Sequence, residues 1–130
     1  MTKANLRLLD ANLNRLREGI RVIEDIYRYI FNDKEVSSKL KTLRHDARID
    51  HYNELLDSRD IINDVLKIST QSEQNRTDLL SIVIANFKRA QESARVLEEF
   101  GKFIDIKTSE NFKSIRYELY DLEKSIIKYH

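Results

Sequence analysis

Proline is absent from the 130 residues, and glycine occurs only at Gly19 and Gly101. A chain almost without the residues that break helices or form tight hairpin turns has an all-helical composition. Cysteine is absent too, which excludes disulfides, thiolate catalysis and cysteine-ligated zinc. No apolar run approaches bilayer length, and the opening stretch MTKANLRLLDANLNR lacks the uninterrupted apolar segment of a signal peptide. No membrane partner is therefore expected, and the cytoplasm is the expected location. Neither sign of charge dominates: 23 Lys and Arg stand against 22 Asp and Glu, so no overall field draws the chain to nucleic acid. A glycine-rich phosphate cradle, HExxH and GxSxG are all missing.

What is present is a repeat. Residues 11–30 read ANLNRLREGIRVIEDIYRYI and residues 85–104 read ANFKRAQESARVLEEFGKFI. Aligned without a gap they share Ala11/Ala85, Asn12/Asn86, Arg15/Arg89, Glu18/Glu92, Arg21/Arg95, Val22/Val96, Glu24/Glu98 and Ile30/Ile104. A weaker echo follows each copy, LKTLRH at 40–45 and FKSIRY at 112–117. The expectation is one helical domain over 1–130, a four-helix bundle made of two duplicated hairpins (5–56 and 79–128) joined by an irregular linker at 57–76. The two halves are expected to superpose after a twofold rotation.

Apolar residues at spacings of three and four (Leu6, Leu9, Leu13, Leu16, Ile20, Ile23, Tyr27, Ile30) predict a first helix over about 2–31. Asn32 and Asp33 stop it and cap a second, with Val36, Leu40, Leu43, Ala47 and Tyr52 inside, running to about Leu56. Thr77 or Asp78 starts the third, with Leu80, Ile84, Phe87, Ala94, Leu97 and Phe103 on its stripe. Thr108 or Ser109 caps the fourth, which buries Phe112, Ile115, Leu119, Leu122 and Ile126. Gly19 in mid-helix is expected at a close crossing of the first and third helices, near its counterpart Ser93.

Asn12, Arg15 and Glu18, with Asn86, Arg89 and Glu92, would converge at such a crossing. They read either as a binding site for a phosphate or carboxylate or as a buried network that fixes helix register. Arg21 with Asp25 and Glu24 with Arg28 read as a surface ladder of i,i+4 pairs. Arg44 and His45, echoed by Arg116 and Tyr117, are further candidates, although His45 on its own reads more readily as a structural group than as a catalyst. In the segment SRDIINDV (58–65), Arg59 can clamp phosphate oxygens, and Asp60 and Asp64 can offer oxygen ligands to Mg²⁺; Asp in loops is also a common cap or turn residue.

The runs LLDANLNRLREGIRVIEDIYRY, LKTLRHD, SRDIINDV and IVIANFKRAQESARVLEEFGK, in that order, resemble the helical domain fused in front of thiamine phosphate synthase in some bacteria, which also occurs alone. That family is regarded as a second type of hydroxymethylpyrimidine phosphate kinase. The resemblance implies transfer of the ATP γ-phosphoryl group, with Mg²⁺, to 4-amino-5-hydroxymethyl-2-methylpyrimidine phosphate. Phosphoryl transfer asks chiefly for Mg²⁺ and cationic clamps: Arg15, Arg44, Arg59 and Arg89 can supply the clamps, and Asp60 or Asp64 the metal ligand or hydroxyl base, with Asp64 as the expected metal ligand. Arg59 and Asp64 are expected outside the core, where truncation leaves stability unchanged. Two departures stand out: Leu66 where the family's glycine is expected, and no synthase barrel before the chain ends at His130. The rival reading is a non-catalytic helical module that dimerises or docks onto a thiamine phosphate synthase. Homodimerisation is open under either reading.

Overall fold

The computed structural model describes residues 1–69 and 78–128. The end of the expected linker, 70–76, and Thr77 as one start of the third helix, lie outside the described residues. Among those residues the chain is all-α: α1 (Lys3–Asp25) runs on through a π-helical turn (Ile26–Ile30), followed by α2 (Lys34–Asp46), α3 (Tyr52–Ser58), α4 (Leu79–Gly101) and α5 (Ile106–Lys128). No helix there is long and apolar enough to cross a membrane.

Side-chain oxygens set the helix starts. Thr2 accepts the Asn5 amide at 3.1 Å to begin α1. Asn32, the sole non-glycine described residue with positive φ (53°), turns the chain, and Asp33 then caps α2 through the Val36 amide at 3.0 Å. Asp78 opens α4 by accepting the Ser81 amide at 2.7 Å, while the Ser81 hydroxyl accepts in return. The fourth long helix starts earlier than expected, because Asp105 takes the Thr108 amide at 2.7 Å. Ser109 is instead buried and donates to the Glu98 carbonyl at 2.8 Å.

The expected stripes form most of the core: Leu9, Leu13, Leu16, Ile20, Ile23 and Tyr27 from α1 and its π turn, Phe87, Ala94 and Leu97 from α4, and all five named residues of α5. Ile30, Leu80 and Phe103 face solvent. The π turn widens the helix and carries Ile30 off the stripe, and Phe103 lies beyond the end of α4 at Gly101. The expected second helix breaks at Ala47. Ala47 and Ile49 are both buried, yet on a continuous helix they would point about 200° apart, so the backbone leaves the helix to bury both. It re-enters as α3, where Leu55 is the buried face and Tyr52 is 71% exposed.

The long helices α1 and α4 pack on each other through small residues. A Cβ added to Gly19 would lie 3.3 Å from the Asn86 carbonyl oxygen and 3.5 Å from the Ala90 Cβ. The close approach thus falls at Asn86 and Ala90, about one to two turns before the expected Ser93.

Each long helix is tied to the next by a buried carboxylate. Glu24, 1% exposed, takes Arg44 Nε at 2.7 Å and Nη2 at 3.3 Å. Its counterpart Glu98 takes Arg116 Nε at 3.1 Å and Nη2 at 2.9 Å. Each carboxylate keeps its arginine charged, and both guanidinium pKa values rise above their ordinary level, Arg44 chiefly through the Glu24 hydrogen bond, Arg116 through those to Tyr120 and then Glu98. The surface ladder is therefore half right: Arg21 does pair with Asp25 at 3.3 Å, but Glu24 turns inward, leaving Arg28 over the ring of Tyr29.

Removing one member of such a pair strands a buried charge and destabilises by about 3 kcal/mol or more. Arg116→Ala is expected to shift a urea unfolding curve by that order, and Arg28→Ala, at an exposed site, by less than about 0.5 kcal/mol. Equal shifts would deny the clamp its structural role.

Candidate functional site

A cavity of about 420 Å³ opens where the N-terminal half of α1 meets the segment after α3, lined by Arg7, Asp10, Asn12, Asn14, Arg15, Arg59, Asp60 and Asp64 on its polar side. Ala4, Leu8, Ala11 and Ile61 complete the wall. A helix presents Arg7, Ala11 and Arg15 on one face, because residues four apart are neighbours.

Arg59 is the residue after the last turn of α3, with extended backbone (φ −66°, ψ 132°). Its side chain crosses to α1, where Nε meets Asp10 Oδ2 at 2.8 Å and Nη2 meets Asp10 Oδ1 at 2.9 Å. Asp10 is only 5% exposed. The hydrogen bonds and charge of Asp10 raise the Arg59 pKa, so the guanidinium stays cationic while 41% of its side chain remains open. Arg7 Nη2 donates to the Asp60 carbonyl at 3.0 Å and holds the next stretch of backbone against α1.

Asp60 ties the loop to itself. Its Oδ1 accepts the amides of Ile62 at 3.1 Å and Asn63 at 3.0 Å, and its Oδ2 accepts Asn63 Nδ2 at 2.7 Å. Hydrogen bonds from Asn63, side chain first, hold this carboxyl below its ordinary pKa. Asp64 commits Oδ1 to the Leu66 amide at 3.0 Å. Its Oδ2 has no such partner among the described residues.

Five of the residues read from the sequence thus share one cavity: Asn12, Arg15, Arg59, Asp60 and Asp64. Glu18, Arg44, His45, Asn86, Arg89 and Glu92 lie outside its lining. Arg44 is drawn inward by Glu24, with only 13% of its side chain exposed. Asn86 turns its amide to the Ile82 carbonyl at 2.8 Å, as Asn12 does to Leu8 at 2.9 Å. Asp10, Arg7 and Asn14 were not singled out from sequence. The one signal for Asp10 was a carboxylate beside Leu9 on a helix whose repeat carries Ile84 at that register.

Among the described residues no three His, Asp or Glu side chains converge as a metal cage. A Mg²⁺ ion arriving on nucleotide phosphates asks for one or two protein carboxylates. Asp64, with one oxygen uncommitted, fits that requirement better than Asp60.

The ThiD2 family model matches residues 7–125. Relatives named thiamine-phosphate synthase include those of Rhodopirellula baltica (43% identical over 120 residues, 88% of this chain and 32% of the relative), Thermosynechococcus vestitus (41% over 121 residues, 92% and 34%) and Prochlorococcus marinus (40% over 123 residues, 94% and 36%). The chain spans about a third of the length of these relatives. No solved structure matches it.

Three outcomes are expected. Arg59→Ala strands the buried Asp10 and lowers stability by on the order of 2 kcal/mol, reversing the expectation of a loop residue indifferent to truncation. Arg15→Ala, at an exposed position, changes it by less than about 0.5 kcal/mol, as paired thermal melts would show. Asp60 has a folded pKa below its unfolded one, so its turn is held above the unfolded value and lost as pH falls through the folded value. The Ile62 and Asn63 amide resonances should therefore hold steady down to about pH 4 and move only below it.

Proposed function

The chain belongs to the ThiD2 family, and from that membership and the cavity beside Arg59 we propose that it transfers the γ-phosphoryl group of ATP to 4-amino-5-hydroxymethyl-2-methylpyrimidine phosphate, in the thiamine pathway. The observation that carries this reading is the convergence of Arg7, Arg15 and Arg59 with Asp64 on a cavity of about 420 Å³, a size suited to a small ligand.

The acceptor is a phosphate oxygen, already largely anionic at neutral pH. That oxygen forms a bond to Pγ, the bond from Pγ to the β-bridging oxygen breaks, and ADP leaves. No general base is required, which removes the base role expected of Asp60 or Asp64 and accords with the full hydrogen bonding of Asp60. The difficulty of the step is the approach of two anions, and fixed cations answer it. In this proposal Arg59 and Arg15 clamp phosphate oxygens, Arg7 holds the loop, and Ala4, Leu8, Ala11 and Ile61 receive the ring. Mg²⁺, held by Asp64 and the nucleotide phosphates, would neutralise charge on the transferring group.

One observation favours the docking reading. Ile61, Ile62, Val65 and Leu66 are large apolar residues exposed to solvent, and the relatives carry roughly twice this length of further chain. A helical module docking onto a thiamine phosphate synthase would cover such a surface.

The assay is formation of pyrimidine diphosphate from ATP and the monophosphate with Mg²⁺, using the unphosphorylated pyrimidine as control. Arg15→Ala is expected to lower turnover on the order of 10²-fold. Absence of product from folded protein, with and without an added synthase, would leave the docking reading in place.

A further inference from the structure

The duplication supplies an internal control on which buried charges the fold requires. The Glu24 clamp recurs at Glu98, so that carboxylate belongs to the architecture. The Asp10 carboxylate does not recur. Ile84 occupies its register in the second copy, so the same helix position is filled by a hydrocarbon side chain in one half of the same fold. Burying a carboxylate carries a desolvation cost that a well-packed apolar residue avoids. A charge retained in one half alone calls for a role other than packing.

Its geometry supplies that role. Asp10 takes Nε and one hydrogen of Nη2 of Arg59, at 2.8 and 2.9 Å, in the two-point arrangement that fixes the guanidinium plane. Of five N–H donors, three remain for the cavity. Asn14 Nδ2 reaches Asp10 Oδ1 at 3.4 Å, steadying the carboxylate itself. Without Asp10, Arg59 would swing on a flexible stem from extended backbone at the end of a seven-residue helix.

We infer that Asp10 is a positioning residue, whose buried carboxylate sets the Arg59 guanidinium in the plane from which its remaining N–H groups meet substrate phosphate oxygens. The inference rests on the phosphoryl-transfer reading of the cavity. It adds a specific dependence: Asp10 acts through Arg59 and has no effect once Arg59 is gone.

The test is a double-mutant cycle with Asp10→Asn and Arg59→Lys. Asp10→Ile serves as a second variant at this position, since it installs the side chain that its counterpart bears. Circular dichroism and melting curves select conditions in which every variant is folded. Each is measured for kcat and KM with ATP and the pyrimidine monophosphate, and for inorganic pyrophosphate affinity by calorimetry. Asp10→Asn and Asp10→Ile are expected to lower kcat/KM and pyrophosphate affinity about tenfold or more. In the Arg59→Lys background either should add less than about twofold, because coupled residues are non-additive. Losses that multiply, or unchanged function with only a lower melting temperature, would overturn the inference. If wild-type protein makes no pyrimidine diphosphate but the pyrophosphate cycle shows the coupled loss, the kinase reading fails and the Asp10 assignment stands. If folded wild-type protein binds no pyrophosphate, both fall.

Discussion

Two buried carboxylates determine how this bundle is assembled. Glu24 and Glu98 sit toward the C-terminal ends of the long helices, and each is met by an arginine from the following helix. A carboxylate taken out of water tolerates few alternatives to its partner, so α2 has one register against α1, and α5 one against α4. With those registers set, α2 accompanies only the C-terminal part of α1. The N-terminal part is left to α3 and the segment after it, and there the cavity forms.

The duplication then separates architecture from chemistry. Among the features present in both halves are those the bundle uses to hold itself: the Glu24 and Glu98 clamps, and the turned-back amides of Asn12 and Asn86. Features present once gather around the cavity. Arg7, Asp10 and Asn14 line it, while Ser81, Ile84 and Lys88 hold the matching positions on α4. One copy of the unit lines the cavity, and the other serves as its packing partner.

The long helices and core were legible because the apolar spacing of α1, α4 and α5 is regular, and the repeat announced the pairing of halves. The break at Ala47 was not, since no proline or glycine marks it; the demand to bury both Ala47 and Ile49 exists only once the core is built. The cavity was half legible. Arg59, Asp60 and Asp64 lie together in sequence, but Asp10 finds Arg59 across 49 residues, and no local pattern exposes a pairing of that span. Arg44 was misplaced for the same reason, its carboxylate lying 20 residues upstream. Sequence reading treats a cation without a near neighbour as available; the folded chain had already used it.

The contact of α1 with α4 has a consequence during synthesis. Gly19 packs against Asn86 and Ala90, so the face of α1 around it waits for a helix that ends at Gly101. At ribosomal rates of about 5–20 residues per second, the interval between completing α1 and completing α4 is roughly 4–15 seconds. Through that interval the apolar face of α1 that α4 will cover stays open, and the order in which the two copies are made sets how long.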